Sequence, residues 1–241
     1  MIRLRVVDFE TTGTEPPARV IEVGRCDVMA GESGLVAVHG PISVLCGGVD
    51  AMPAEVRAVH HLGAEDVAGY APFDAVEFMA QAERDGVTAI VAHNADFEAK
   101  WLPESLRRGI PILCTYKAAL RAFPGAPSHK NQVLRYWLEE RGLTKPAPAL
   151  AQPAHRAGPD AYATAWTLAA LLREASVADM IRWTSEPAAL TTCPLGKWRG
   201  KPWADVEEGF LVWMLRQATM EADLRWNAQR ELDRRRNRGA A

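Results

Sequence analysis

The chain has 241 residues, of which 48% are hydrophobic and 24% charged, and its formal net charge is −2 at pH 7. This composition is typical of an ordinary globular protein with one large domain, or with one domain and a small appendage. It excludes a membrane-spanning protein, because no run of eighteen or more apolar residues occurs.

The N-terminal segment and the cysteines indicate the compartment. The first ten residues, "MIRLRVVDFE", lack the apolar core and the cleavage site of a signal peptide, so we expect a cytoplasmic protein without a membrane partner. The four cysteines lie far apart in the sequence and do not have the paired spacing of a metal site. They predict buried thiols in a reducing compartment.

Strand patterns dominate the start of the sequence. Residues 1–8 predict an apolar strand that ends at Asp8, and residues 19–30 and 35–46 alternate as two further strands. Residues 30–34, "AGESG", have the composition of a turn between the second and third strands. The three strands therefore predict an antiparallel meander.

Helices and strands alternate in the middle of the sequence. The segments in chain order are helices over residues 52–63 and 73–86, a strand, loop and helix over 87–109, the same order over 110–125, and an amphipathic helix over 131–143. Strands first and strand–helix units afterwards predict an α/β fold, in which a mixed β-sheet is flanked by helices.

A proline-rich connection, residues 144–159, leads into the last long helix of this part. Pro159 falls in the first turn of that helix, where a missing N–H is tolerated. The composition changes again near residue 185. We expect a first domain of residues 1–175 and a small α-rich C-terminal unit of residues 176–241.

Cations and aromatic residues alternate in this C-terminal unit. The segment "GKWRGKPW" contains, in order, Lys197, Trp198, Arg199, Lys201 and Trp203, and residues 225–241 are strongly basic. Basic residues with aromatic neighbours suit phosphate contact with base stacking, so Trp198 and Trp203 are candidates for stacking. An arginine-rich tail is equally typical of a solvated helix end or a disordered terminus. Three other tryptophans have the helical spacing of core residues, namely Trp166, Trp183 and Trp213.

Two carboxylates stand at the end of the first strand. In "VVDFETTG", residues 6–13, Asp8 and Glu10 are two residues apart, so their side chains point to the same face of a strand. Like charges at this separation raise each other's pKa unless a cation lies between them. The pair therefore predicts a divalent metal site; a surface strand edge is the alternative, against which the flanking apolar residues argue.

Further candidate ligands follow later elements. Asp96 and Glu98 end an apolar strand in "VAHNADFE", and His155 and Asp160 lie in "HRAGPD" where a helix begins. Ligands in open α/β sheets gather at strand ends and helix N-termini, so these segments can converge with the first pair. Four carboxylates and a histidine suit a two-magnesium phosphodiesterase, in which oxygen ligands hold the ions and the histidine takes the proton of the attacking water.

The three segments resemble the DEDDh 3′–5′ exonucleases, a superfamily that includes polymerase proofreading subunits and has an RNase H-like fold. "DFETTG" is similar to the first motif of that family, which implies that Asp8 and Glu10 are metal ligands. It also implies that the backbone around Thr11 and Thr12 faces the 3′-terminal nucleotide. "HRAGPD" matches the third motif, His-x₄-Asp, which implies a general base at His155.

The second and third motifs supply the remaining ligands that the resemblance implies. Asp160 is the last ligand of the third motif. "HNADFE" is similar to the second motif, which normally ends Asn-x-x-Phe-Asp, and implies Asn94 at the substrate. Glu98 stands where the family has aspartate, and Asp96 lies two places earlier. Because glutamate keeps the charge and adds one methylene, we expect Glu98 in this role, with Asp96 as the alternative.

Three other histidines are not expected to bind metal. His60 and His61 are adjacent on a predicted helix, where their side chains diverge by about 100°, and His93 is expected to pack or to form hydrogen bonds.

The resemblance implies a metal-dependent exonuclease that shortens nucleic acid from the 3′ end and releases nucleoside 5′-monophosphates. Two Mg²⁺ or Mn²⁺ ions are expected at the four carboxylates Asp8, Glu10, Glu98 and Asp160. We expect DNA, mainly single-stranded 3′ ends, as the substrate. An exoribonuclease is an alternative, because residues 6–13 do not read a 2′-hydroxyl. A nucleic-acid-binding module that lost turnover through Glu98 is the other.

Overall fold

A computed structural model describes residues 1–31 and 34–239 of the chain. Its centre is a six-stranded mixed sheet. The strands are, in chain order, β1 (Ile2–Thr11), β2 (Val20–Ala30), β3 (Val36–Val38), β4 (Ile42–Leu45), β5 (Val87–Ala92) and β6 (Ile112–Cys114). The spatial order is β3-β2-β1-β5-β6, with β4 also paired to β2. β1 is antiparallel to β2 and parallel to β5, which is parallel to β6.

Seven helices accompany this sheet in the described residues. They are α1 (Ala54–His60), α2 (Ala64–Val67), α3 (Ala75–Arg84), α4 (Thr115–Ala122), α5 (Asn131–Glu140), α6 (Ala157–Leu171) and α7 (Val177–Ser185). The predicted α/β fold, a mixed sheet flanked by helices, is confirmed. Within residues 1–31 and 34–239, no helix combines the length and the apolar character that a membrane crossing requires.

The two faces of β1 pack against different helices. Leu4 and Val6 belong to a core that includes residues of α5 and α6, whereas Val7 and Phe9 belong to a core that includes Met79 of α3. Because side chains alternate along a strand, the even-numbered residues of β1 share one face. Asp8 and Glu10 therefore lie on the face that α6 covers, at the carboxyl end of the strand.

The start of α6 lies against β2 without room for a side chain between them. A Cβ atom added at Gly24 would overlap the carbonyl group of Ala157, and one added at Gly158 would overlap the hydroxyl of Ser43. Glycine is required at position 24, because only its missing side chain permits this approach of the β2 backbone to that of Ala157, whereas the atom nearest to position 158 belongs to a serine side chain. The contact fixes the first turn of α6 close to the strand pair that carries the first carboxylates.

Two predicted elements differ from the structure. The predicted third strand, residues 35–46, is divided into β3 and β4, since Gly40 and Pro41 interrupt the pairing with β2. Part of the predicted turn before it, residues 32 and 33, lies outside the described residues. The helix predicted within residues 87–109 is wrong: two 3₁₀ turns, Glu98–Lys100 and Glu104–Leu106, stand there, separated by Pro103. Proline breaks a continuous helix because its N–H is missing.

A small C-terminal unit has its own core. It contains a two-stranded sheet of β7 (Thr192–Cys193) and β8 (Lys201–Pro202), followed by α8 (Glu208–Arg216) and α9 (Ala222–Gly239). The buried residues of this core are Cys193, Trp203, Val206, Leu211, Met214, Leu224, Ala228 and Leu232. Trp203 is 6% exposed and belongs to the core, so the predicted stacking role is wrong for this residue.

The packing of α7 indicates where the first domain ends. Met180 of α7 is fully buried in the core of the large sheet, and the Thr184 hydroxyl accepts a hydrogen bond of 2.8 Å from the Cys114 amide at the end of β6. α7 therefore packs as part of the first domain. The division into two units remains a proposal, and this packing supports a boundary after Ser185 rather than after residue 175.

Candidate active site

Three carboxylates of two elements converge at the carboxyl edge of the sheet. Asp8 and Glu10 come from β1 and Asp160 from the first turn of α6, and one oxygen of each lies within 4.8 Å of the others. Asp160 also accepts two hydrogen bonds, from the His155 amide at 2.7 Å and from the Gln132 side chain at 2.5 Å. These bonds hold the Asp160 carboxylate in one orientation beside the pair on β1.

Glu98, the fourth candidate ligand, is buried beside this cluster. It is 3% exposed, and its Oε2 atom has no hydrogen-bond partner within the described residues. Asp96 differs: its side chain is 72% exposed and lies 3.6 Å from Lys117 Nζ. Burying a carboxylate oxygen that accepts no hydrogen bond costs free energy. A cation or a proton donor bound at Glu98 Oε2 would therefore be stabilising. The charge of Glu98 raises the pKa of Asp8, and the charge of Glu10 raises that of Glu98. Glu98 rather than Asp96 is therefore the acid of this segment that interacts with the other carboxylates.

The carboxylates have strongly raised pKa values. Burial, followed by the charges of Glu98, Asp160 and Glu10, raises the pKa of Asp8 well above its ordinary value. Burial is also the main reason why the pKa of Glu10 and that of Glu98 rise to about 8. The hydrogen bonds to Asp160 oppose the effect of burial, which nevertheless raises its pKa.

This donor set fits a divalent metal. Three hard carboxylates lie within 4.8 Å of one another, the charge of Glu98 raises the pKa of Asp8, and one buried oxygen of Glu98 lacks a hydrogen-bond partner among the described residues. Oxygen ligands of this kind are what Mg²⁺ and Mn²⁺ prefer, and a cation between the carboxylates would remove their mutual repulsion. The cluster can therefore hold a metal ion.

A buried ion pair that the sequence analysis missed supports the cluster. Glu22 of β2 lies opposite Glu10 in the strand register and is 0% exposed. Its two oxygens accept hydrogen bonds from the Arg156 guanidinium at 2.8 and 2.9 Å, and one of them accepts a third, at 3.1 Å, from the Ala157 amide. Glu22 thus ties the start of α6 to β2. In the sequence, the position of Glu22 inside the otherwise apolar segment "VIEVG" could have indicated a buried charge.

Arg156→Met is expected to destabilise the protein more than the loss of an exposed ion pair. It leaves the Glu22 carboxylate buried without its partner, and we expect the free energy of unfolding to fall by about 3 kcal/mol in urea titrations. The double variant Glu22→Gln/Arg156→Met should recover about half of this loss, because it removes the unpaired charge and keeps an acceptor for Ala157. Arg182→Met, which breaks exposed ion pairs, is the control and should lose much less stability than Arg156→Met. Equal losses in the single and double variants would contradict the role given to the buried charge.

His155 lies next to this ion pair. Its backbone is in the left-handed region, with φ at 59°, and its amide donates to Asp160. The residue is exposed, and its ring has no hydrogen bond or ion pair in the part of the chain that the structure describes. A non-glycine residue in this conformation is strained and is held there by its surroundings. The backbone is therefore fixed beside Asp160 while the imidazole stays accessible.

The three residues predicted to bind substrate lie on the connections that leave β1 and β5. The Thr11 hydroxyl donates to the Gly13 carbonyl at 2.6 Å, and the Thr12 hydroxyl accepts from the Arg19 amide at 2.9 Å. Both hydroxyls thus stabilise the loop after β1. Asn94 is exposed, with φ at 66°, and begins the turn that carries Glu98. The structure brings these connections to the same sheet edge as the carboxylates, because β1 and β5 are parallel neighbours.

The other histidines do not join the metal cluster. His93 bonds to the Thr115 hydroxyl at 3.0 Å and to the His129 carbonyl at 2.7 Å, so the prediction of a hydrogen-bonding residue is confirmed. Burial lowers its pKa to about 4. His60 is buried and accepts a hydrogen bond from the Leu62 amide at 3.0 Å.

The three segments at the site fall within one family match. A family model described as exonuclease matches residues 6–168, which is more than half of the chain and includes every candidate ligand. The chain belongs to the exonuclease family. The resemblance inferred from the three motifs is therefore confirmed at the level of the family.

Relatives of this exonuclease family extend the match to almost the whole chain. Exodeoxyribonuclease 10 of Escherichia coli strain K12 is 30% identical over 236 residues, which cover 95% of this chain and 99% of that protein. Three segments beyond the catalytic motifs already resemble bacterial exodeoxyribonuclease X, namely "TYKAALRAFPG", "KNQVLRYWL" and "LGKWRGKPWADV". This closer resemblance is confirmed.

Solved structures of exonucleases share the fold. A structure of exonuclease X in complex with 5′ overhanging duplex DNA has a TM-score of 0.55 and 26% identity, and the match covers 76% of this chain and 99% of that chain. Exonuclease I of E. coli in complex with a dA16 oligonucleotide has a TM-score of 0.54 at 14% identity, covering 76% of this chain and 43% of that one. The second match supports the fold alone. Each of these two matches therefore leaves about a quarter of this exonuclease uncovered.

Proposed function

We propose that this exonuclease hydrolyses DNA from the 3′ end and releases nucleoside 5′-monophosphates by a two-metal mechanism. The observation that carries the proposal is the convergence of Asp8, Glu10 and Asp160 within 4.8 Å beside the buried Glu98. DNA as the substrate is supported by the similarity to exodeoxyribonuclease 10 and to exonuclease X in its DNA complex.

The four carboxylates would hold two divalent ions, Mg²⁺ or Mn²⁺. When bound, the ions stabilise the negative charge that develops on the attacking and leaving oxygens of the phosphodiester. Asp160 is oriented for this task by its hydrogen bonds to His155 and Gln132. Thr11, Thr12 and Asn94 would contact the 3′-terminal nucleotide, Thr11 and Thr12 through their backbone.

His155 would accept the proton of the attacking water. Its amide is tied to Asp160, so the residue stays beside the carboxylates, and its exposed imidazole is free to meet a substrate. A neutral imidazole near pH 7 is suited to general-base catalysis.

The direction and the substrate are tested with 5′-labelled single-stranded DNA, duplex DNA and RNA of one sequence, in magnesium and in EDTA. We expect a magnesium-dependent ladder of labelled products that shorten from the 3′ end of DNA. Immediate release of the labelled mononucleotide would show that hydrolysis starts at the 5′ end. Faster shortening of RNA than of DNA would favour an exoribonuclease. Binding in EDTA without mononucleotide release in magnesium would favour a binding module.

His155→Ala is expected to lower kcat by about 10²-fold with little change in KM, because general-base catalysis contributes to the chemical step rather than to binding. Mononucleotide release from single-stranded DNA in magnesium measures both constants. His39→Ala, which removes another exposed imidazole, should behave as the unchanged chain. An unaltered kcat in His155→Ala would remove this residue from the mechanism.

A further inference from the structure

The C-terminal unit exposes a stacked pair of aromatic rings. Trp213 of α8 is 47% exposed, although its spacing predicted a core position. Its indole stacks on the ring of Phe210 one helical turn earlier, with centroids 5.1 Å apart and an angle of 27° between the planes. The other seven tryptophans, all of them in the described residues, are buried or half-buried. Trp213 therefore presents a flat, supported aromatic face to solvent.

A basic hairpin turn adjoins this pair. Gly196, at the turn between β7 and β8, lies so close to Phe210 that an added Cβ would be 3.8 Å from its ring. The turn and the strand after it carry the exposed cations Lys197, Arg199 and Lys201. Lys197 lies 3.2 Å from Glu207, but both side chains are more than 60% exposed, so the pair is weak. Arg199 and Lys201 have no carboxylate within ion-pair distance among the described residues.

The C-terminal unit and the rest of the chain differ in net charge. Residues 186–241 contain ten lysines and arginines and eight acidic residues, a net charge of +2, whereas residues 1–185 contain 18 and 22, a net charge of −4. The carboxylate site lies in the negative part. A polyanion such as a nucleic acid strand is attracted by cations and repelled by like charge. The C-terminal unit is therefore the part of the chain whose charge complements a nucleic acid.

The C-terminal unit is anchored near the sheet edge that carries the site. The Arg121 guanidinium of α4 donates hydrogen bonds of 3.0 Å to the Glu186 carboxylate and to the Pro187 carbonyl, at the point where the unit begins. α4 starts at the carboxyl end of β6, and its Lys117 contacts Asp96 at 3.6 Å. This anchoring connects the unit to the segment that contains Glu98.

We propose that Trp213 and Phe210, together with Lys197, Arg199 and Lys201, form a docking surface for single-stranded DNA, here called the stacking patch. A base of an unpaired strand stacks on Trp213, and the hairpin cations contact the phosphates. Stacking requires an unpaired base with a free face, which a duplex does not offer, and the excess positive charge matches the backbone. The proposal rests on the proposed function only for the choice of DNA as the occupant.

The test uses the full chain and a fluorescein-labelled dT16 oligonucleotide in EDTA, so that binding is measured without turnover. In anisotropy titrations, Trp213→Ala is expected to weaken binding about tenfold, because one stacked base is lost. Trp213→Phe should retain most of the affinity, since a flat ring remains. Tyr70→Ala, which removes a 50% exposed aromatic residue elsewhere, is the matched control and should bind normally.

The contribution of the cations is measured separately, from the salt dependence of DNA binding. Arg199→Gln/Lys201→Gln should make the slope of log K against log salt shallower by about 1.4, the value for two phosphates of a single strand, whereas Trp213→Ala should leave that slope unchanged. Arg84→Gln/Arg108→Gln, an equal change of charge at exposed positions beside acidic partners, is the control.

A small substrate separates this proposal from the proposed function. Hydrolysis of the p-nitrophenyl ester of thymidine 5′-monophosphate, which has no second nucleotide to occupy the patch, should be equal in Trp213→Ala and the unchanged chain. If the unchanged chain has no nuclease activity and Trp213→Ala still weakens dT16 binding, the proposed function is wrong and the stacking patch is supported. Unchanged dT16 affinity in Trp213→Ala would overturn the patch, and a fall in sedimentation coefficient in that variant would assign the surface to a second copy of the chain.

Discussion

Asp8→Asn is expected to lower kcat for mononucleotide release by at least about 10³-fold, one of the two largest effects that we expect of a single substitution in this chain. Asp8 is one of the three carboxylates that lie within 4.8 Å of one another, and the charges of Glu98, Asp160 and Glu10 all raise its pKa. Removing its charge weakens metal binding, and metal ions contribute several kcal/mol to charge stabilisation in such sites. Release of thymidine 5′-monophosphate from dT16 across a range of magnesium concentrations measures the loss.

Two further variants decide which acid of the second motif belongs to the site. Glu98→Gln should lose activity to a similar degree as Asp8→Asn, whereas Asp96→Asn should keep most of it, because Asp96 is exposed and directed to Lys117. Asp50→Asn replaces an exposed aspartate outside the site and should have full activity. Full activity in Asp8→Asn, or a severe loss confined to Asp96→Asn, would contradict the arrangement of ligands inferred for this chain.

The metal-free protein is expected to lose stability as the pH rises from about 5 to about 8. The pKa of Glu10 in the folded chain is about 8, against an ordinary value of 4.5, and the pKa of Glu98 is raised to the same value. Between these values the folded state retains protons that the unfolded state has released, so the free energy of unfolding falls with rising pH. The stability is fully present below about 4.5 and is lost as the pH passes through 8, a change of about 2 kcal/mol or more.

Urea titrations in EDTA at several pH values measure this slope. Magnesium should restore the stability at pH 8, because the ion binds the folded state and not the unfolded chain. Asp8→Asn should be more stable than the unchanged chain at pH 8 in EDTA, since it removes one repelling charge, although it is the least active variant. A free energy of unfolding that increases from pH 5 to 8 in EDTA would show that the carboxylates are ionised and compensated without metal.

The local patterns of the sequence were sufficient to predict much of the site. Alternation placed Asp8 and Glu10 on one face of β1, and Pro159 marked the first turn of the helix that carries Asp160. These predictions succeed because they depend on neighbouring residues only. The motif led us to propose Glu98 as a site residue, but it did not predict the burial of Glu98, which depends on the 3₁₀ turn that replaced the expected helix.

Features that depend on distant residues could not be predicted. Glu22 and Arg156 are 134 positions apart, and no local pattern indicates that they pair. The tryptophans of the C-terminal unit show the same limit: α8 has apolar residues on most of its surface, so spacing alone does not show that Trp213 is exposed while Trp203 is buried. Burial in a small unit is decided by which elements cover it, and that is a property of the whole fold.

The contact of Gly24 with Ala157 determines which parts of the metal site natural variation can adjust. Since main chain lies against main chain there, the spacing between β1, β2 and the start of α6 offers no side chain through which selection could tune the position of Asp160. The backbone of the turn around Glu98 is instead held mainly by hydrogen bonds within residues 94–102. We therefore expect the second motif to be the segment in which side-chain length can vary, and it is the one in which this chain carries glutamate in place of aspartate.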